Sequence, residues 1–329
     1  MDWKKNFLVL AIIPLALWAR TGEPIPEPPI PDKFEPWFTG PLLTPSGNVI
    51  PLSHQNIEPY IYYNRNVGLF NHHWKSHSAP TYTNVLTQIS LQFGVLPRVE
   101  LDLNPTFSYN HTQSKQMWVV NDTPVAVGFQ LITEDLKGWT PSIKMRWGLN
   151  LPTGRYDELN PKKLGVDAGG LGAWYPNFGF VVSKLFHIYH HHYLAWRQSL
   201  VYTWGTSVHV HGLSVYGGSP SIGHLPRTNG TVYPGNSFNS ITGFEYSLSQ
   251  NWVVALDIFY ESISHQRFRG YSPLNTKPTH PSQQQLSLAP AIEYNFSPNV
   301  GIIVGPWFSV AGRNTLDYYN WVLAINVYH

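Results

Sequence analysis

Charged and amide side chains recur in this chain at alternate positions of strand-length segments. Glu100 and Asp102, Lys144 and Arg146, and Glu293 and Asn295 are each two residues apart, and Arg197, Glu245 and Asp257 occupy the polar positions of similar segments. Residues two apart in an extended strand point to the same side. Gathered around a shared interior, such groups can do two kinds of chemistry. Opposed acids and bases can pair as a lattice that stiffens a narrow lumen, or a layer of charge can select small solutes as they pass. Both uses stay open, because strand stagger decides which charges touch. Gln88, Gln92, Asn150 and Glu261 belong to the same polar face.

Other groups invite catalytic or metal chemistry and give weaker signals. His190-His-His192 lies beside His187, but neighbouring strand residues point to opposite faces, so three in a row make a poor chelating surface. His72, His73, His77, His209 and His211 fall in connections, and no metal or cofactor is expected. Without cysteine, no Cys-based zinc site can form. Serines and histidines suit a lipid hydrolase, yet no Gly-x-Ser-x-Gly spacing marks a nucleophile. The run Gly165 to Gly172 is glycine-rich but precedes a strand rather than opening a helix, which argues against a phosphate cradle. The expectation is that the chain is not an enzyme.

The positioning elements are strands. From Arg98 to Asn110, Val99, Leu101, Leu103, Phe107 and Tyr109 share one face, while Arg98, Glu100, Asp102, Asn104, Thr106 and Ser108 share the other. One apolar and one polar face suit a strand set between lipid and a wet lumen. Twelve such segments are expected near 55–63, 81–95, 98–110, 125–133, 141–151, 174–186, 193–204, 237–248, 252–262, 284–296, 299–311 and 318–329. The connections between them alternate: long ones (64–80, 111–124, 152–173, 205–236, 263–283) separate short ones, and only the last outer loop, 312–317, breaks the rule. Bacterial outer-membrane barrels have short periplasmic turns, long outer loops and an even strand count. The fold class is therefore all-β, a transmembrane antiparallel β-barrel of about twelve strands over 55–329. Trp147, Trp174, Trp196, Trp204, Trp252, Trp307 and Trp321 are expected in the interfacial girdles.

Composition agrees. The 329 residues include 13 Trp, 19 Tyr and 16 Phe with 12% charged residues, and the net charge of +2 lacks the basic excess of a nucleic-acid binder. Residues 1–19 read as a signal peptide: Lys4 and Lys5 precede an apolar run from Phe7 to Ala19, too short to span as a helix. Within residues 20–54, Glu23 to Pro36 is proline-dense and cannot form helix or central strand, and Trp37 to His54 has turn residues but little periodicity. The whole of 20–54 is set apart from the barrel. These residues are expected to be a periplasmic arm, either a linker at the mouth or a plug folded into the lumen. The last strand, Trp321 to His329, resembles the signal read by barrel-assembly machinery, with Tyr328 penultimate where such signals end on an aromatic residue.

Certain motifs resemble a family. Gly148-Leu-Asn-Leu-Pro-Thr-Gly-Arg-Tyr156, centred on Pro152, Thr153 and Gly154, is similar to a strand-end signature of bacterial outer-membrane barrels labelled "meta-pathway of phenol degradation". Gly170-Leu-Gly172 leading into Asn177-Phe-Gly-Phe-Val-Val-Ser-Lys-Leu-Phe186, Gly243-Phe-Glu-Tyr246 and Ser287-Leu-Ala-Pro-Ala-Ile-Glu-Tyr294 resemble further pieces of it. The resemblance spans about Ile57 to the end and implies a channel for small solutes, aromatic or apolar ones among them, with no catalytic residues to carry over.

These readings predict a Gram-negative outer-membrane channel for passive transport. Glu100, Asp102, Lys144, Arg146, Arg197, Glu245, Asp257 and Glu293 are the candidates for its constriction. Its partners would be outer-membrane lipid, a small-molecule solute and, during biogenesis, the assembly machinery, but not nucleic acid. A closed barrel with ligand-binding outer loops and a lipid hydrolase are the competing expectations.

Overall fold

A computed structural model describes residues 37–329 apart from 190–191, 222 and 274–275. The expected signal peptide, most of the proline-dense arm, and His190 and His191 lie outside the described residues. The strands are β1 (Gln55–Phe70), β2 (Ser76–Leu96), β3 (Val99–Leu103), β4 (Thr106–Thr112), β5 (Lys115–Val120), β6 (Thr123–Ile132) and β7 (Ser142–Leu151). There follow β8 (Tyr175–Tyr189), β9 (His192–Thr203), β10 (Val208–His211), β11 (Leu213–Ser214), β12 (Gly217–Gly218) and β13 (Asn229–Tyr233). The chain ends with β14 (Ser237–Ser247), β15 (Trp252–Ile263), β16 (Arg267–Tyr271), β17 (Gln283–Ser297), β18 (Val300–Arg313) and β19 (Leu316–Tyr328).

β1 pairs antiparallel with both β2 and β19, which closes the sheet into a barrel. Two wall strands are each broken once. Asn104-Pro105 divides β3 from β4, and Asn121-Asp122 divides β5 from β6, so the wall has twelve strand positions. Every expected strand is present. The first two long connections are shorter than expected, because β1 with β2 and β4 with β5 continue as hairpins past the barrel rim. Lipid no longer dictates the pattern there, so strand and loop look alike in sequence.

Burial is inverted relative to a water-soluble domain. Leu101, Leu103 and Phe107 are exposed, whereas Glu100, Asp102, Thr106 and Ser108 are buried. An apolar exterior with a polar interior is the arrangement of a barrel solvated by lipid. Trp174 and Trp204 are exposed at the outer strand ends and Trp252 near a short turn, as interfacial aromatics should be. Trp307 departs from the expected girdle. It faces the lumen, donates from Nε1 to Ser287 Oγ at 2.9 Å and packs edge-on against Phe259.

Candidate functional site

The charged layer lies toward the short-turn end of the lumen and is built in neighbouring groups. Lys144 Nζ on β7 lies 2.5 Å from Glu100 Oε1 on β3, and Arg146 Nε lies 3.4 Å from Asp102 Oδ2. β6 runs between those strands. Its Gly128 sits opposite both Glu100 and Arg146, and a Cβ there would lie 2.7 Å from Glu100 Oε1. The missing side chain is what lets the Glu100 carboxylate cross an intervening strand. On the other side, Arg197 of β9 pairs with Glu245 of β14 at 2.9 Å.

Asp257 and Glu293 have no basic partner among the described residues. Their acceptors are used by the segment 37–54, which lies inside the barrel wall. Leu43 N–H and Thr44 N–H donate to Asp257 at 2.9 and 3.2 Å, and the Thr39 N–H donates to Glu293. Gly40 N–H donates to Glu245 at 2.9 Å, Val49 N–H to Gln130 at 2.7 Å and Ile50 N–H to Glu100 at 2.9 Å. In return Lys144 Nζ and Ser142 Oγ donate to the carbonyls of Asn48 and Gly47. A stretch with five prolines and glycines cannot pair its own backbone as helix or sheet, and buried N–H groups need acceptors. Lumenal carboxylates supply them, and hydrogen bonds to an ionised acceptor are the stronger kind.

Packing adds to this. Leu42 is buried against Ala255, Ala289, Ile303, Val322 and Ala324, an apolar patch of small side chains on the inner wall. Gly243 and Gly301 leave room for the passing chain, since a Cβ at either would strike Thr44 or Thr39.

Above this segment is a cavity of about 330 Å³. One side carries Tyr60, Tyr62, Phe259 and Trp307; the other carries Asp102, Arg146 and Arg197. Tyr60 and Tyr62 stack at 5.7 Å. Asp102 Oδ1 and Arg146 Nε are buried without hydrogen bonds among the described residues, so this pair keeps unused capacity beside the cavity.

A crystal structure of an outer membrane channel from Pseudomonas putida F1 matches with a TM-score of 0.62, over 86% of this chain and 98% of that one, at 9% identity. The chain has the fold of an outer-membrane channel. The NanC porin (TM-score 0.45, 9% identity, 82% of this chain and 98% of that one) and the Pseudomonas putida toluene transporter TodX (0.40, 10%, 90% and 98%) match more loosely. No protein-family model matches the chain, and no curated protein does.

Within this channel fold, Pro152, Thr153 and Gly154 stand at the outer rim, far from the charged layer. Thr153 Oγ1 donates to the Asn121 carbonyl at 2.7 Å, and Gly154 N–H donates to Asp122 Oδ1 at 2.9 Å. The other oxygen of Asp122 accepts from Leu171 N–H at 2.7 Å, so one carboxylate ties both ends of the loop 152–173. Gly154 packs backbone to backbone on Gly169 and Gly170, leaving no space for a Cβ. The middle of that loop bends inward, where Asn110 Nδ2 donates to the carbonyls of Val166 and Ala168 at 3.0 Å each. Tyr216 caps the same region, donating to the Leu171 carbonyl, and burial pushes its phenol pKa up.

Leu42, Gln130, Gly128 and Asp122 were not singled out by sequence reasoning. The glycines in otherwise regular strands were the available signal, since a strand glycine marks close approach of another group.

Proposed function

We propose that the chain is a Gram-negative outer-membrane channel for passive movement of small solutes, with residues 37–54 acting as a plug at its periplasmic mouth. The observation that carries this is the lumenal cavity itself, lined at its base by Thr39 to Ser46 of that segment, with an aromatic side and a charged side. An interior kept only for stability would be filled by side chains. The aromatic side suits flat apolar solutes, and the charged side, with Arg146 and Arg197, suits a polar substituent. The resemblance carried by Pro152, Thr153 and Gly154 supports the same solute class.

The plug reading rests on the chemistry of the contacts. They are mostly hydrogen bonds from backbone amides to carboxylates that belong to the wall, so the segment can leave without unfolding a strand. Single-channel recording in a planar bilayer tests this, comparing the mature chain with one lacking residues 23–54. Larger or more frequent openings after truncation are expected. Silence from both proteins would defeat the channel reading, and equal conductance would defeat the plug.

A further inference from the structure

Three outer segments form a small sheet whose strand order, β10-β13-β16, repeats that of the wall strands they adjoin, β9-β14-β15. β10 follows β9 after Trp204–Ser207, β13 precedes β14 across Pro234–Asn236, and β16 follows β15 after Ser264–Gln266. The sheet is thus the barrel wall resumed after short breaks, two of which hold glycine or proline (Gly205, Pro234 and Gly235). Its two faces differ sharply. Val208, Val210 and Val232 are buried with Ala173, and Tyr156, Tyr175, Tyr216 and the partly buried Phe268 pack against them, on the side of the mouth.

The register places different residues on the opposite face. His209, Thr231 and Arg269 form one cross-strand row, and Tyr233 and Arg267 form the row nearest the barrel. Arg267, Arg269 and His209 are exposed, and the Arg269 guanidinium lies 5.6 Å from the Tyr233 ring centroid. An open cleft of about 470 Å³ runs along Tyr233, His265, Arg267 and Arg269. Among the described residues, the carboxylate paired with this face is Asp157, 3.8 Å from His211 in the outermost row. The two arginines have none.

This face continues the lipid-facing exterior. Phe238 and Trp204 are exposed at the outer ends of their strands, and Tyr233 lies five residues beyond Phe238. At about 3.3 Å per residue, that is at most roughly 17 Å along the wall. The surface therefore changes from apolar to cationic just past the hydrocarbon boundary, where the outer leaflet presents phosphate. Guanidinium forks match phosphate oxygens in pairs, and Arg267 and Arg269 on alternate positions are spaced to take two phosphoryl groups or one from two sides.

We propose that the outward face of β10-β13-β16 binds the phosphorylated sugar headgroup of the outer-leaflet glycolipid, through Arg267 and Arg269 with His209 and Tyr233 beside them. The proposal rests on the outer-membrane placement and not on solute passage, so a silent conductance experiment would leave it standing.

The test is a binding titration of the full mature chain, refolded in neutral detergent, with diphosphoryl lipid A, the same lipid dephosphorylated, and phosphatidylglycerol. Losing the phosphates should weaken binding about tenfold or more, as should Arg267→Gln with Arg269→Gln. Lys137→Gln, at the opposite end of the barrel, should change nothing. Equal affinity for the two forms of lipid A, equal affinity for phosphatidylglycerol, or an unaffected double variant would each overturn the assignment. Folding of each variant is checked by its heat-dependent gel shift. If the double variant fails that check, the comparison of lipids on the unaltered protein decides the matter.

Discussion

Lys144 and Glu100 form a 2.5 Å ion pair inside the barrel although a complete strand runs between their own strands. Gly128 makes the contact possible by contributing no side chain at the crossing point. Both partners are almost fully buried, so each depends on the other for compensation of its lost hydration.

Lys144→Met should therefore destabilise the barrel by about 3–5 kcal/mol, because it strands the Glu100 carboxylate. Adding Glu100→Gln should restore much of that loss. Urea unfolding of the two single variants and the double variant measures the coupling, and strictly additive effects would refute the pairing.

The Leu42 contact gives a separate handle on the lumenal segment. Leu42→Asp would place a carboxylate against Ala255, Ala289, Ile303, Val322 and Ala324, where no donor is arranged to receive it. The segment should be displaced while the wall strands remain intact. Limited proteolysis should then cut within 37–54 at least several-fold faster, with the heat-dependent gel shift unchanged. Unaltered cleavage would mean that the carboxylate contacts alone hold the segment.

How much of this was legible beforehand depends on which physics wrote the signal. All twelve wall strands could be read because lipid on one side and water on the other impose an alternation of period two. Where lipid ends the constraint ends too, and the continuation of β1 through Arg65, Asn66 and Gly68 read as loop. The charged set was visible residue by residue. The assignment of Glu100 to Lys144 rather than to Arg146 was not, since it depends on stagger and on Gly128. Nor could the partners of Asp257 and Glu293 be read, because they are backbone amides of a stretch without charge or periodicity before His54.

At the outer rim the Pro-Thr-Gly motif should behave as a clamp. Gly154→Val would drive its Cβ toward Gly169 C, 2.6 Å away, and Asp122→Asn would weaken two backbone hydrogen bonds without adding bulk. Protease sensitivity of loop 152–173 should rise strongly in the first variant and modestly in the second. The reverse order would show that the carboxylate, not the glycine contact, carries the clamp.

The pair Arg146 and Asp102 should control the ions that pass once the mouth is open. Its 3.4 Å separation and unused hydrogen-bonding atoms distinguish it from the tightly locked Lys144–Glu100 pair. Arg146 retains partial exposure to the cavity, whereas Asp102, beside it in the cavity wall, is nearly buried. Arg146→Ala removes the cation and leaves Asp102 facing the passage, so the local potential turns negative and small cations are favoured. In a chain lacking residues 23–54, the reversal potential in a salt gradient should shift toward cation selectivity. Asp102→Asn should shift it the opposite way. If neither moves it, this layer does not set the permeation path, and the constriction must lie with the inward loop at the outer mouth.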